Sequence, residues 1–282
     1  MILFKHISDL QKHLQKLKAE NKTIGFVPTM GALHQGHLSL IKQAQQKCDI
    51  VVCSIFVNPT QFNNSEDFNK YPSTIDKDIY LLETNRCDIL FLPSEKEIYP
   101  DGEELKQPYD LGFIETILEG EFRPGHFQGV CQVVDRLLNI IHPDFICMGQ
   151  KDFQQIMVVQ KMIELKHHPV KMIIGETLRE ASGLASSSRN IRLSDNEKEK
   201  AAAIYKSLLY IKENITKTSF GEIKQHASEI LMNSGFRKID YIEICDAKTL
   251  TPLIKYNSST QIIVLIAAYM GDIRLIDNML MN

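Results

Sequence analysis

Apolar positions change their spacing along this chain, and the change marks the elements. Thr23 to Val27, Asp49 to Val57, Asp88 to Leu92, Asp144 to Met148 and Val170 to Ile174 are near-continuous apolar runs. Such runs predict strands buried on both faces, as in a parallel sheet. Between them the apolar residues fall three and four apart, the spacing of an amphipathic helix. Ser8 to Glu20 carries Leu10, Leu14 and Leu17 on one face, and Ser8-Asp9-Leu10-Gln11 fits a capping box. A second helix begins near Gly36 and runs to about Lys47, with Leu38, Ile41 and Ala44 inward; a third spans Ile75 to Thr84. Phe127 to Ile141 buries Val130, Val134, Leu137, Leu138 and Ile141, and another helix follows Gln155. Strands alternating with helices imply right-handed βαβ units and a doubly wound, mostly parallel α/β sheet. Ligands of such sheets gather at the carboxyl ends of the strands. The polar turns after the first, second and fourth of these strands share that edge, a physical reason to expect one site there.

The alternation stops near residue 176. Ser194-Asp195-Asn196-Glu197 caps a helix to about Asn214, and Ser219 to Ser234 gives another, with Gly235 as its stop. Strands over 238–245 and 261–268 and a short terminal piece, Ile273 to Ile276, complete the chain. Residues 1–176 therefore read as one domain, and residues 177–282 as a smaller α+β domain sized to be a lid. The small, polar stretch from Arg179 to Asn190 has the composition of a mobile hinge.

Composition narrows the class without choosing a function. The 282 residues are 44% hydrophobic and 24% charged, enough to bury a core without disulfide or metal staples. A net charge of −3 with no Lys/Arg block argues against a nucleic-acid partner. Cys48, Cys53, Cys87, Cys131, Cys147 and Cys245 form no CxxC pair and mostly lie in apolar runs, which reads as reduced and buried. No secretory signal and no run of about 18 apolar residues is present, so a cytoplasmic protein without a membrane partner is expected.

The chemistry concentrates in Phe26-Val27-Pro28-Thr29-Met30-Gly31-Ala32-Leu33-His34-Gln35-Gly36-His37. Two imidazoles three apart stand where a strand hands over to a helix, on one helical face. Unsatisfied N–H groups at such a turn favour anions, phosphate above all. An isolated HxxH reads equally as two surface histidines; Gly36 between them and Pro-Thr-Met-Gly before them favour the anion site. Lys151, after a strand and Gly149, can hold a phosphate as a point charge, although a lone Lys-Asp pair such as Lys151-Asp152 more often is a solvated ion pair. Ser186-Ser187-Ser188-Arg189 offers hydroxyl donors and a fixed cation within a stretch that also reads as a flexible linker. Asn58 and Gln61 suit a hydroxyl and a carboxylate, and Gln155 lies beside the same edge. Arg123 and His126 sit in a glycine-rich loop before a helix, a structural loop or a site. Asp76 and Asp78 read as a solvated helix face or as ligands of magnesium.

HxGH at a strand–helix turn is the signature of the nucleotidyltransferase superfamily. The strings PTMGALHQGH, SIFVNPTQF, EGEFRPGHFQGV, MGQKDFQQ and GLASSSRN, in this order, resemble the pantothenate synthetase family over nearly the whole chain. The resemblance departs where Ser182 replaces the usual Asp, Ser186 the usual Met, and Gln132 the usual Thr. It implies a Rossmann-like fold and a dimeric, ATP- and magnesium-dependent enzyme joining pantoate to β-alanine. By resemblance, Met30, Gly31, Ala32, Leu33, His34, Gln35, Gly36 and His37 form one wall of the ATP site. Gly149, Gln150, Lys151, Asp152, Leu178, Ser186, Ser187, Ser188 and Arg189 complete it. His34 and His37 donate to phosphate, with His37 as a general acid, and Lys151 and Arg189 supply positive charge. Asn58, Gln61 and Gln155 hold pantoate, Gln61 also lies near β-alanine, and Arg123 and His126 serve the second half-reaction.

Overall fold

The computed structural model describes residues 1–63 and 65–281. Among these the strands form one six-stranded and one three-stranded sheet. The chain divides into two compact units, one comprising Met1–Gln150 and Gln155–Glu176, the other Lys151–Gln154 and the chain from Thr177 onward.

The first unit is built on β1 (Ile2–Phe4), β2 (Ile24–Thr29), β3 (Ile50–Ile55), β4 (Ile89–Phe91), β5 (Phe145–Gly149) and β6 (Lys171–Gly175), in the spatial order β1-β4-β3-β2-β5-β6. Every described pairing is parallel, with Ile24 opposite Ile50 and Gly25 opposite both Val51 and Phe145. The helices between them are α1 (Ile7–Ala19), α2 (Gln35–Gln45), the short α3 (Ser65–Asn69), α4 (Ile75–Thr84), α5 (Glu95–Ile98), α6 (Glu119–Phe122), α7 (His126–Ile141) and α8 (Phe153–Leu165). Side chains alternate between the two faces of the sheet. Ile24, Phe26, Val52, Ile89 and Phe91 pack with Leu10 and Leu14 of α1 and with Val130, Val134, Leu137, Leu138 and Ile141 of α7. Val27, Val51, Cys53 and Leu90 pack on the other side with Leu38, Ile41 and Ala44 of α2 and Leu82 of α4. Each such buried aliphatic side chain contributes roughly 1.5–3 kcal/mol. Two covered faces explain why the strands read as continuous apolar runs rather than as alternation.

One strand is added and one local expectation changes. β1 escapes a reading by pattern because it has three residues. The capping box at Ser8 does not form: α1 begins at Ile7 after His6, and the Ile7 N–H donates to the Glu97 carboxylate at 2.8 Å. Five of the six cysteines are buried and all six are free thiols.

In the second unit α9 (Asp195–Ala201), α10 (Ala203–Asn214) and α11 (Phe220–Asn233) precede an antiparallel sheet of β7 (Phe236–Asp246), β8 (Ile262–Met270) and β9 (Ile273–Leu280), with β8 central. The single helix expected from Ser194 to Asn214 is divided at Ala202 into α9 and α10. Ser194 with Glu197 forms the expected cap as a capping box, and Ser219 with Glu222 forms a second. Ile204, Leu208, Ile211, Ile223 and Leu231 pack on Ile244, Val264 and Ile266. The stretch read as a mobile hinge is tied down inside this unit. Arg179 pairs with the buried Asp277 through two bonds of 2.5 and 3.0 Å, and its guanidinium lies 4.2 Å from the Tyr205 ring centre. Asn190 donates to Glu180 and to the Ala185 carbonyl.

Candidate active site

The turn from β2 to α2 is shaped by two residues in left-handed backbone conformations, Gly31 at φ +80° and Ala32 at φ +49°. A Cβ on Gly31 would sit 3.1 Å from both an Asp78 carboxylate oxygen and Ile55, and a side chain there would also be strained by φ. An alanine in that region costs roughly 1–2 kcal/mol and needs a partner to hold it. Asp78 supplies the hold. It is 0% exposed and accepts from the Ala32 N–H at 2.9 Å, the Leu33 N–H at 2.8 Å and the Thr74 hydroxyl at 3.1 Å. The anion seated on these two amides of the turn is therefore a side chain of the protein itself. The solvated helix face expected as the alternative for Asp78 is not found, since its carboxylate is buried against the turn. Both Asp78 oxygens are engaged by the turn, Asp76 is exposed, and among the described residues no cluster of three His, Cys, Asp or Glu could hold a metal.

His34 is the N-cap of α2 and His37 its third residue, and each ring closes the helix start. The Gly36 N–H donates to His34 Nδ1 at 3.2 Å, and the His34 N–H donates to His37 Nδ1 at 3.3 Å. A nitrogen that accepts a main-chain N–H carries no proton, so the proton of each neutral ring is on Nε2. The helix start thus fixes both tautomers and holds the rings 4.0 Å apart between centres. Two Nε2–H donors at the N-terminus of a helix are the donor set that phosphate oxygens need.

The second constellation lies at the turn Pro59–Gln61 after β3. Asn58, expected as a substrate ligand, is 1% exposed with its amide capacity filled inside the unit. Its oxygen accepts from Tyr99 Oη at 2.7 Å and Thr60 Oγ1 at 3.1 Å; its nitrogen donates to the Gly129 carbonyl at 3.1 Å and to Gln61 Oε1 at 3.2 Å. Burial pushes the Tyr99 phenol up to about 12, so it stays a donor. Gln61 turns its amino group to Met30 Sδ at 3.1 Å. Arg123 and His126, expected at the second half-reaction, lie against this turn. His126 Nδ1 donates to the Gln61 carbonyl at 2.8 Å, while its Nε2 lies 3.0 Å from Arg123, which faces Glu119 at 3.7 Å. Gln155 is half-buried on the first turn of α8, and Gln132 donates to the Glu103 carbonyl. Tyr99 lies outside every motif, and Thr60 and Gly129, inside SIFVNPTQF and EGEFRPGHFQGV, carry no local mark of a role because their partners are distant in sequence.

In the second unit Lys151 is mostly buried and lies 3.4 Å from Asp152, while its carbonyl accepts from Asn278 at 2.8 Å. Ser187 caps the short turn of helix Ser188–Arg192 by accepting from the Arg189 N–H at 3.3 Å. The Ser186 N–H donates to the Leu178 carbonyl, and Ser182 Oγ accepts from Leu184. Lys151, Asp152, Leu178 and Ser186 to Arg189 therefore belong to one unit, and the histidine turn with Asn58, Gln61 and Gln155 to the other.

A parallel sheet with helices on both faces, whose β2 hands over to a histidine-capped helix, defines a doubly wound α/β protein with its candidate anion site at the β2–α2 turn. The model of the pantoate-beta-alanine ligase family matches residues 2–280, and the chain belongs to that family. It is 47% identical over 283 residues to the pantothenate synthetase of Cytophaga hutchinsonii, covering 99% of each chain. The crystal structure of pantothenate synthetase from Thermus thermophilus is similar at a TM-score of 0.91 and 37% identity, covering 99% of each chain. That of the pantoate-beta-alanine ligase of Francisella tularensis, complexed with beta-gamma ATP and β-alanine, aligns at a TM-score of 0.83 and 39% identity over 100% of this chain and 98% of that one.

Proposed function

We propose that this chain condenses pantoate with β-alanine at the expense of ATP, releasing AMP and pyrophosphate. A carboxylate is a poor electrophile and must first be activated. An oxygen of the pantoate carboxylate attacks the α-phosphorus of ATP, the bond to the bridging oxygen of pyrophosphate breaks, and pantoyl adenylate forms. The amine of β-alanine then attacks the acyl carbon, loses its proton, and AMP leaves. No nucleophile of the protein is consumed, and the site motifs hold no nucleophile–base pair. The protein's part is to neutralise charge on phosphorus and on leaving pyrophosphate and to set the attack in line.

The single observation that carries this reading is the histidine-capped start of α2, which holds the imidazoles of His34 and His37 together at the N-terminus of a helix. We assign His37 as the acid toward the departing pyrophosphate and His34 as its companion donor. The rest of Met30 to His37 forms the ATP wall, Gln61 and Gln155 hold pantoate, and Asn58 holds Gln61. We assign Lys151 and Arg189 as the cations of the polyphosphate, with Gly149, Gln150, Asp152, Leu178 and Ser186 to Ser188 as nucleotide contacts. Magnesium belongs to this reading only as a companion of the ATP phosphates, and no residue of the chain is assigned to it. A cytoplasmic homodimer is part of the same reading, and sedimentation reads its oligomeric state. No helix of the described residues is long and apolar enough to cross a membrane.

The test is isotope exchange between pyrophosphate and ATP. Exchange that requires pantoate but not β-alanine, with AMP release requiring both, is the expected result. Exchange without pantoate would replace the ligase by a plain nucleotidyltransferase.

A further inference from the structure

The contacts around Gln61 determine which way its side-chain amide points. The packing of α7 at Gly129 sets them. A Cβ there would lie 2.3 Å from the Thr60 carbonyl oxygen and 2.7 Å from the Gln61 nitrogen, so only glycine lets α7 rest on the 59–61 turn. That approach brings the Gly129 carbonyl to 3.1 Å from Asn58 Nδ2. A carbonyl can only accept, so the amino side of the Asn58 amide faces α7 and its oxygen faces the hydroxyls of Tyr99 and Thr60. The second proton of that amino group goes to Gln61 Oε1. Gln61 is thereby left with its oxygen inward and its amino group toward Met30 Sδ, a weak acceptor that a substrate oxygen would displace.

We infer that Tyr99 and Asn58 are positioning residues that fix the polarity of the Gln61 amide, so that Gln61 meets the carboxylate- and hydroxyl-bearing substrate only as a hydrogen-bond donor. This rests on the reading that Gln61 lies against pantoate. A freely turning glutamine would offer its oxygen as often as its nitrogen, and an oxygen facing a carboxylate repels it. Met30, in the ATP wall, marks where the donor is aimed. The phenol of Tyr99 has the Arg136 guanidinium 4.9 Å from its ring centre and is 4% exposed, so it cannot swing away to release the amide.

The experiment measures equilibrium affinity for pantoate, and separately for a non-hydrolysable ATP analogue, in Asn58→Asp, Tyr99→Phe and Gln61→Ala and in the two double variants with Gln61→Ala. Asn58→Asp replaces the donor facing Gln61 by an acceptor and turns the Gln61 oxygen outward. Pantoate affinity falls about 10- to 100-fold, the worth of one hydrogen bond to a charged group, with nucleotide affinity held within about twofold. Tyr99→Phe removes one of two hydroxyls and weakens pantoate a few-fold. In the Gln61→Ala background neither substitution weakens pantoate further, because the amide they orient is gone. A purely structural role predicts equal losses in both backgrounds, and that result would overturn the inference while leaving Gln61 a pantoate ligand. Wild-type pantoate affinity in Gln61→Ala would overturn the site reading and the inference with it. Should Asn58→Asp fail to fold, Tyr99→Phe in the two backgrounds decides the question alone.

Discussion

Asp78→Asn tests how the histidine turn is held. The carboxylate is fully buried and accepts two main-chain N–H groups of the turn and one hydroxyl. Each bond to a charged acceptor is worth about 1.5–3 kcal/mol. Asparagine has the same shape but one oxygen. It keeps one of the two amides and turns its own amino group toward the other, leaving a buried donor facing a donor at about 1–3 kcal/mol. Burying a neutral amide in place of a charge returns part of this. The net is about 2–4 kcal/mol of a total that is about 5–15 for most domains. Ala32, held at φ +49° in part by this carboxylate, relaxes where that bond is lost, carrying His34 with it. The assay pairs denaturant titration with single-turnover adenylate formation, measured where the variant is still folded. We expect lower stability by that amount, adenylate formation slowed at least tenfold, and an unchanged magnesium dependence. Asp76→Asn, exposed on the same helix, changes none of the three. Wild-type stability and rate in Asp78→Asn would refute the clamp, and a shifted magnesium requirement would make the carboxylate a metal ligand.

His37→Ala leaves the chain folded, with about 1 kcal/mol lost at the cap of α2, and slows adenylate formation by about two to three orders of magnitude; unchanged single-turnover rates would remove the residue from the chemistry. Gly129→Ala places a methyl 2.3 Å from the Thr60 carbonyl and lowers stability, read as a melting midpoint, by about 1–3 kcal/mol. The carboxyls of Glu97, Glu197 and Glu222 are held below their ordinary 4.5, by the Ile7 N–H, by the Ser194 side chain and by the Thr218 side chain respectively. Their folded values lie below the unfolded ones, so the stabilisation is complete above about 4.5 and is lost as pH falls through the folded values. Melting curves over that acid range show the loss, and Glu222→Gln flattens it.

The strands β2 to β6 were legible because burial on both faces writes an unbroken apolar run, and the histidine pair at the start of α2 because residues 34 and 37 are neighbours in sequence as well as in space. What escaped depends on distant partners. Ser8 fits a capping box, but the group that satisfies the start of α1 is Glu97, ninety positions away. Asp78 has the spacing of a solvated helix face, and only the return of the chain past residues 31–33 buries it. Asn58 carries the chemistry of a ligand, yet Tyr99 and Gly129 use its amide up. Arg179 to Asn190 has a linker's composition, and its anchor, Asp277, is almost a hundred residues further on. Local periodicity reports which face is apolar; it does not report which polar group a remote segment will claim.

The rings that open α2 have their torsions frozen while the polypeptide folds, so on the function proposed above the ordering entropy of two phosphate donors is spent once per molecule and not once per turnover. Recognition and helix initiation are consequently inseparable at this spot: a replacement able to grip an anion but unable to receive the amides of residues 34 and 36 would fray the first turn, and one that only capped would leave the nucleotide without its donor.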